Sequence, residues 1–197
     1  MKITSLDQLD LNATYSYADY LKWQIEDRIE LIKGKIFKMS PAPATRHQLY
    51  VGEIFRQISN YLYRNSCKVF VAPFDVRLSP LKRLDSSKIY TVVQPDICVV
   101  CSHDKIDSKG CNGAPDLVVE VLSPGNTDME MNEKFEIYQE NGVLEYWLVE
   151  PNDRIVLVYV LNESGAFIGL KPFTESETIH SKAIDGFEIL VKDIFDV

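Results

Sequence analysis

Basic residues are scarce in this chain. Its 197 residues include 21 lysines and arginines against 29 aspartates and glutamates, a formal net charge of −8. A field of that sign repels polyanions, so overall charge cannot drive nucleic-acid binding and any such contact needs a local basic face. Long apolar runs are missing too. No run approaches the length of a membrane span, and no apolar segment follows Met1-Lys2. Neither secretion nor membrane insertion is expected, and the reading is cytoplasmic. Cysteine is limited to four residues, too few for a disulfide framework in a chain this long. Cys98 and Cys101 have CxxC spacing, but Cys98 lies in an apolar run, and His103 and Cys111 complete no standard zinc pattern. Thiols in a reducing compartment are expected instead.

Glycine-rich phosphate loops are absent, in both the G-x-x-x-x-G-K-[ST] and the G-x-G-x-x-G form, which argues against nucleotide hydrolysis and dinucleotide binding. Ser123 stands in no G-x-S-x-G turn and has no matching His–Asp pair, so serine hydrolysis has little support. Repeats, low-complexity tracts and linkers are also lacking. With 46% hydrophobic residues, the chain reads as one domain over residues 1–197.

What the chain does have is the run Asp116-Leu-Val-Val-Glu120-Val-Leu-Ser123. So apolar a segment reads as a strand buried on both faces, where an unpaired carboxylate is costly. Asp116 and Glu120 are an even number of residues apart and share one face of it. The earlier run Gln94-Pro-Asp96-Ile-Cys-Val-Val100 has the same form, with Asp96 at its mouth. Acids at the ends of two apolar strands suit a hard divalent cation, Mg²⁺ or Mn²⁺, and phosphate chemistry. Asp96 and Glu120 are assigned as its ligands, with a main-chain carbonyl near Val121 as a third candidate. Asp116, about 13 Å along the strand, is a supporting or strand-entry residue.

A helix is predicted from about Asp128 to Asn141. Thr127 and Glu130 form its capping box, and Gly142 stops it. At about 100° per residue, Met131, Phe135, Ile137 and Tyr138 gather on one side, and Lys134 falls within that apolar arc. A lysine there either snorkels to solvent or reaches across the sheet to the carboxylates. In the second case it positions the attacking water or stabilises transition-state charge.

The succession PDxxVV, APDLVVEVLSP, EKxxxY and GVLEYWLVEP, running from the Glu30–Ile36 segment to Pro151, resembles the Uma-two family. That family belongs to the PD-(D/E)XK nuclease superfamily. The resemblance implies an α/β restriction-endonuclease-like core: a mixed central β-sheet flanked by helices, here with an N-terminal hairpin and a C-terminal β extension. It implies a Mg²⁺-dependent endonuclease, acting on DNA, in which Asp96, Glu120 and Lys134 are catalytic. Nucleases of this fold commonly pair, so a homodimer is expected. The superfamily's usual lysine two residues after the second acid is replaced by Leu122, and in this family its role is thought to pass to the following helix, which matches Lys134. A catalytically silent binding or assembly module on the same fold is the alternative.

Three further residues are accessory candidates. Glu30 is an early acid that either assists the metal or pairs with Arg28 or Lys33. His47 either orients a carboxylate, touches phosphate, or is a satisfied core group. Gln94 either orients the water or is a strand-start amide. Lys33, Lys35 and Lys38, and then Arg77, Lys82, Arg83 and Lys88, cluster either as a cleft lining or as solvated faces. Helices are predicted at about 17–24 and 45–63, a hairpin at 29–32 and 35–39, and strands at 68–71, 74–78, 145–149, 154–161 and 166–170. The stretch 81–90 reads as a loop, and 187–197 as a last strand and terminal turn.

Overall fold

The computed structural model describes residues 2–39, 44–79, 85–123 and 128–197, excluding the side chains of 128–130. In chain order the elements are α1 (Tyr17–Tyr20), β1 (Ile29–Ile32), β2 (Lys35–Lys38), α2 (Thr45–Leu62), β3 (Lys68–Val71) and β4 (Val76–Leu78). Next come β5 (Thr91–Val93), β6 (Ile97–Val100), β7 (Ile106–Asp107), β8 (Gly110–Asn112), β9 (Leu117–Val121) and α3 (Asp128–Asn141). The chain ends with β10 (Glu145–Glu150), β11 (Ile155–Leu161), β12 (Phe167–Gly169), β13 (Thr178–His180), β14 (Glu188–Leu190) and α4 (Val191–Phe195). Among the described residues the strands form two six-stranded sheets, β2-β1-β5-β4-β8-β7 and β12-β11-β10-β9-β6-β3, and a β13-β14 ribbon. No helix among them is long and apolar enough to cross a membrane.

The doubly buried strands are as the composition predicts. In β9, Leu117, Val119 and Val121 enter one core cluster with Ile54 and Ile58 of α2, while Val118 enters another with Ile137 and Tyr138 of α3. Neighbouring β6 divides likewise, Ile97 and Val99 to the first cluster, Cys98 and Val100 to the second. β9 runs antiparallel to β6 and parallel to β10, with α3 as the crossover between the parallel pair. Helices α2 and α3 therefore cover opposite faces of the same central strands.

Several expectations are corrected. The predicted helix from Tyr17 ends at Tyr20, and Trp23 instead forms an isolated bridge with Ile3, which takes its backbone out of the helix. The N-terminal hairpin is the margin of a full sheet, because Leu31 of β1 pairs with Val92 of β5. The strands predicted at 68–71 and 74–78 form, the second only from Val76, and β3 and β4 lie in different sheets. The predicted Thr127–Glu130 capping box and the 81–84 part of the loop lie outside the described residues; the rest of that loop holds a short 3-10 turn at Ser86–Lys88.

The cysteine reading also changes. Cys67 and Cys101 form a disulfide, while Cys98 and Cys111 are free and buried. Lys68 opposes Val100 in the antiparallel β3–β6 pair, so 67 and 101 face each other one residue beyond it. That juxtaposition joins residues 34 apart and is invisible to local spacing. Alkylation of the denatured protein without reductant is expected to label Cys98 and Cys111 alone, and all four cysteines after reduction; four labels before reduction would refute the pairing.

Candidate active site

Asp96 and Glu120 occupy the same rung at the end of the β6–β9 pair, because Ile97 opposes Val119. Pro95 has no amide hydrogen to donate, and β6 begins only after Asp96, so that side chain sits where the ladder opens. Asp96 Oδ2 accepts the Val121 amide at 2.9 Å and lies 3.2 Å from His47 Nε2. Glu120 Oε1 accepts Lys134 Nζ at 2.9 Å and the Tyr138 hydroxyl at 2.7 Å. Lys134 Nζ is also 3.3 Å from Glu30 Oε1, which accepts the Gln94 amide at 2.8 Å. Five elements thus supply one cluster: β1, α2, the β6 entrance, β9 and α3.

The structure brings Asp96, Glu120, Lys134, Glu30 and His47 together. Gln94 joins through its backbone, and its side-chain Nε2 instead donates to Asp75 Oδ1 at 2.9 Å. Asp116 stands apart. It lies at the opposite end of β9, where its Oδ2 accepts the Cys101 amide at 2.7 Å. Glu30 pairs with neither Arg28 nor Lys33; Lys33 reaches Glu136 and Glu140 of α3 instead. Sequence reasoning missed Tyr138 and Asp75. The signal for Tyr138 was its position four residues after Lys134, on the same face of α3, but a tyrosine in an apolar arc reads first as core. Asp75, bonded to Gln94 and to the Tyr17 hydroxyl, had no local signal.

Burial governs the electrostatics. The Glu120 side chain is 12% exposed and that of Lys134 15%. Desolvation, only partly offset by the Lys134 charge and reinforced by Asp96 and Glu30, pushes the Glu120 carboxyl up to about 7. For Lys134 burial acts against the charged form, but the Glu120 and Glu30 carboxylates win and hold it above the ordinary lysine value. The same contest at His47 ends the same way: burial lowers its pKa, while the Asp96 hydrogen bond and charge raise it further. The Tyr138 hydroxyl is driven well up, first by burial and then by Glu120.

A divalent cation fits this donor set. Each carboxylate has one oxygen fixed by donors, and none among the described residues donates to Asp96 Oδ1 or Glu120 Oε2. No group of three or more His, Cys, Asp or Glu among those residues is arranged to hold an ion alone. Two carboxylates completed by water and substrate oxygens is the way Mg²⁺ is commonly held.

Among the described residues, most basic side chains of these clusters are engaged within the chain. Lys33 is paired with α3, Lys38 with Asp27 at 3.0 Å, and Lys35 Nζ donates to the Asn12 and Ala13 carbonyls. Arg77 is buried, donates to the Cys111 carbonyl and Asp107, and lies over the Tyr17 ring. Lys82 and Arg83 lie outside the described residues. Lys88 lines a cavity of about 520 Å³ beside Lys33 and Tyr90.

Residues 17–192 match the Uma2 family, described as "Putative restriction endonuclease". The chain belongs to that family. A relative in Synechocystis sp., "Uncharacterized protein slr1290", is 25% identical over 169 residues, 84% of each chain. The crystal structure of "a putative nuclease belonging to DUF820" from Anabaena variabilis superposes with a TM-score of 0.72 at 19% identity, covering 92% of this chain and 98% of that one. At that identity the likeness establishes a shared nuclease-like α/β fold.

Proposed function

We propose that this Uma2 protein is a metal-dependent endonuclease that hydrolyses phosphodiester bonds, with DNA as substrate and Mg²⁺ or Mn²⁺ held by Asp96 and Glu120. The observation that carries the reading is the shared rung. A carboxylate at the entrance of β6 and one on β9 stand opposite each other, each tethered through one oxygen, with a lysine from the crossover helix against one of them. Family membership supports the reaction class.

When bound, the cation lowers the pKa of a coordinated water and polarises the phosphate. The chain's own residues do the rest. His47 and the Val121 amide fix the Asp96 carboxylate, so it need not reorganise when the cation arrives. Lys134 places a fixed positive charge beside Glu120, where it offsets charge building on the phosphoryl oxygens. Glu30 holds the lysine from its other side, and the Gln94 amide holds Glu30.

Calorimetric titration with Mn²⁺ tests the reading. Wild type is expected to bind the ion, and Glu120→Ala to bind it at least about tenfold more weakly. The titrated wild type is then expected to cleave DNA, and chelation to stop it. Absence of binding would remove the metal reading. Binding without cleavage of DNA or RNA would favour the second reading, a silent nuclease-fold interaction module. That reading draws its support from the net charge of −8 and from hairpin lysines already engaged within the chain.

A further inference from the structure

The metal reading leaves one buried polar group of the cluster unused, the hydroxyl of Tyr138. The side chain is fully buried in the core cluster formed by α3, β9 and β10. Its ring needs no hydroxyl to be there: Tyr146 packs against it at 5.1 Å, and Ile137 and Val143 belong to the same cluster. Yet the hydroxyl donates to Glu120 Oε1 at 2.7 Å, the oxygen that Lys134 Nζ also meets. Two donors thus converge on one oxygen and fix that side of the group.

The geometry points to Tyr138 as a positioning residue for the cation. With Lys134, one helical turn earlier, it grips Glu120 Oε1 and so turns Oε2 towards the ion. The inference rests on the metal reading of Asp96 and Glu120. Asp96 is built on the same plan, with Oδ2 taken by His47 and the Val121 amide. Each ligand then has one oxygen for the protein and one for the ion. Both ligands have two donors on one oxygen, because one hydrogen bond leaves a carboxylate free to turn about it, and a glutamate, with one more rotatable bond than an aspartate, has more such freedom to lose. Lys134 supplies one of the two, and its ammonium also faces Glu30 at 3.3 Å.

The test is Mn²⁺ affinity of the full chain, read by calorimetry and by electron paramagnetic resonance of the free ion, for wild type, Tyr138→Phe and Tyr159→Phe. Tyr159 belongs to the same aromatic cluster, stacking on Tyr146, without touching Glu120. Tyr138→Phe is expected to weaken Mn²⁺ binding about 10- to 100-fold, while Tyr159→Phe leaves it unchanged. Equal affinity in wild type and Tyr138→Phe would overturn the positioning role and leave the metal reading standing. No binding in wild type would overturn the metal reading, and this inference with it. Should Tyr138→Phe fail to fold, 3-fluorotyrosine at position 138 preserves the native shape. Its ¹⁹F resonance is expected to shift with Mg²⁺ along the binding isotherm, and an unmoved resonance would count against the grip.

Discussion

Lys134→Met is expected to lose DNA cleavage by about 10²- to 10³-fold, the usual cost of removing one preorganised charge from a reacting centre. Methionine keeps the stem that packs among the apolar residues of α3 and drops only the ammonium. The same change exposes Glu120 and Glu30 to each other with no cation between them, since Lys134 lies 2.9 and 3.3 Å from the two. Removing one member of a buried ionic cluster costs about 3–5 kcal/mol. That penalty has a pH signature. The Glu120 carboxyl is already raised to about 7 by burial, above its ordinary value of 4.5, and losing the lysine raises it further. A carboxyl whose folded pKa exceeds its unfolded value binds extra protons in the folded state, so stability rises as pH falls through that interval. The deficit of the variant is therefore largest above pH 7 and smallest near pH 5. Urea unfolding at both ends measures it, and a deficit independent of pH would mean that Glu120 and Lys134 are not electrostatically linked.

The second large effect is far from the cluster. Glu145→Ala is expected to lower the unfolding free energy by about 3–5 kcal/mol, because it strands buried donors. Glu145 is fully buried, with no basic side chain among the described residues bonded to it. Its Oε1 accepts Trp147 Nε1 at 2.7 Å, and its Oε2 accepts the Ser181 hydroxyl and the Lys182 and Ala183 amides at 2.7–2.8 Å. One side chain thus fastens the turn after β13 to the start of β10. For a chain of this size the melting temperature should fall by about 10 °C or more. Glu145→Gln should recover part of the loss, since its single oxygen still serves the turn and its amide nitrogen faces only Trp147. A melting temperature unchanged in Glu145→Ala would show that the turn is held by something else.

Much of this architecture was legible from residue order. The run from Leu117 to Val121 announced a strand covered on both sides, and its odd and even residues do enter different core clusters. The apolar arc of α3 placed Lys134 inward, and Asn141-Gly142 marked where that helix stops. Strand neighbours were not legible. Alternation says which face a residue takes, not which strand lies beside it, so the division of β3 and β4 between sheets and the joining of β1 to β5 went unread. Glu30 illustrates the limit. Its candidate partners nearby were Arg28 and Lys33, but its actual partner lies more than a hundred residues later, on α3. Tyr138 was hidden differently, by a side chain whose ring belongs to the core while its hydroxyl belongs to the cluster.

The spread of the cluster along the chain also bears on synthesis. Glu30, His47 and Asp96 emerge early, Glu120 later, and Lys134 and Tyr138 after that. At about 5–20 residues per second, the ribosome exposes the early acids seconds before α3 can close over them. Neither sheet can supply the cluster alone, since Glu30 sits in one and Glu120 in the other. A nascent or truncated chain ending before α3 therefore lacks both donors to Glu120, and under the proposed function it would not cleave nucleic acid. Under that function, cleavage competence would arrive only once α3 has been made and has folded over the early acids.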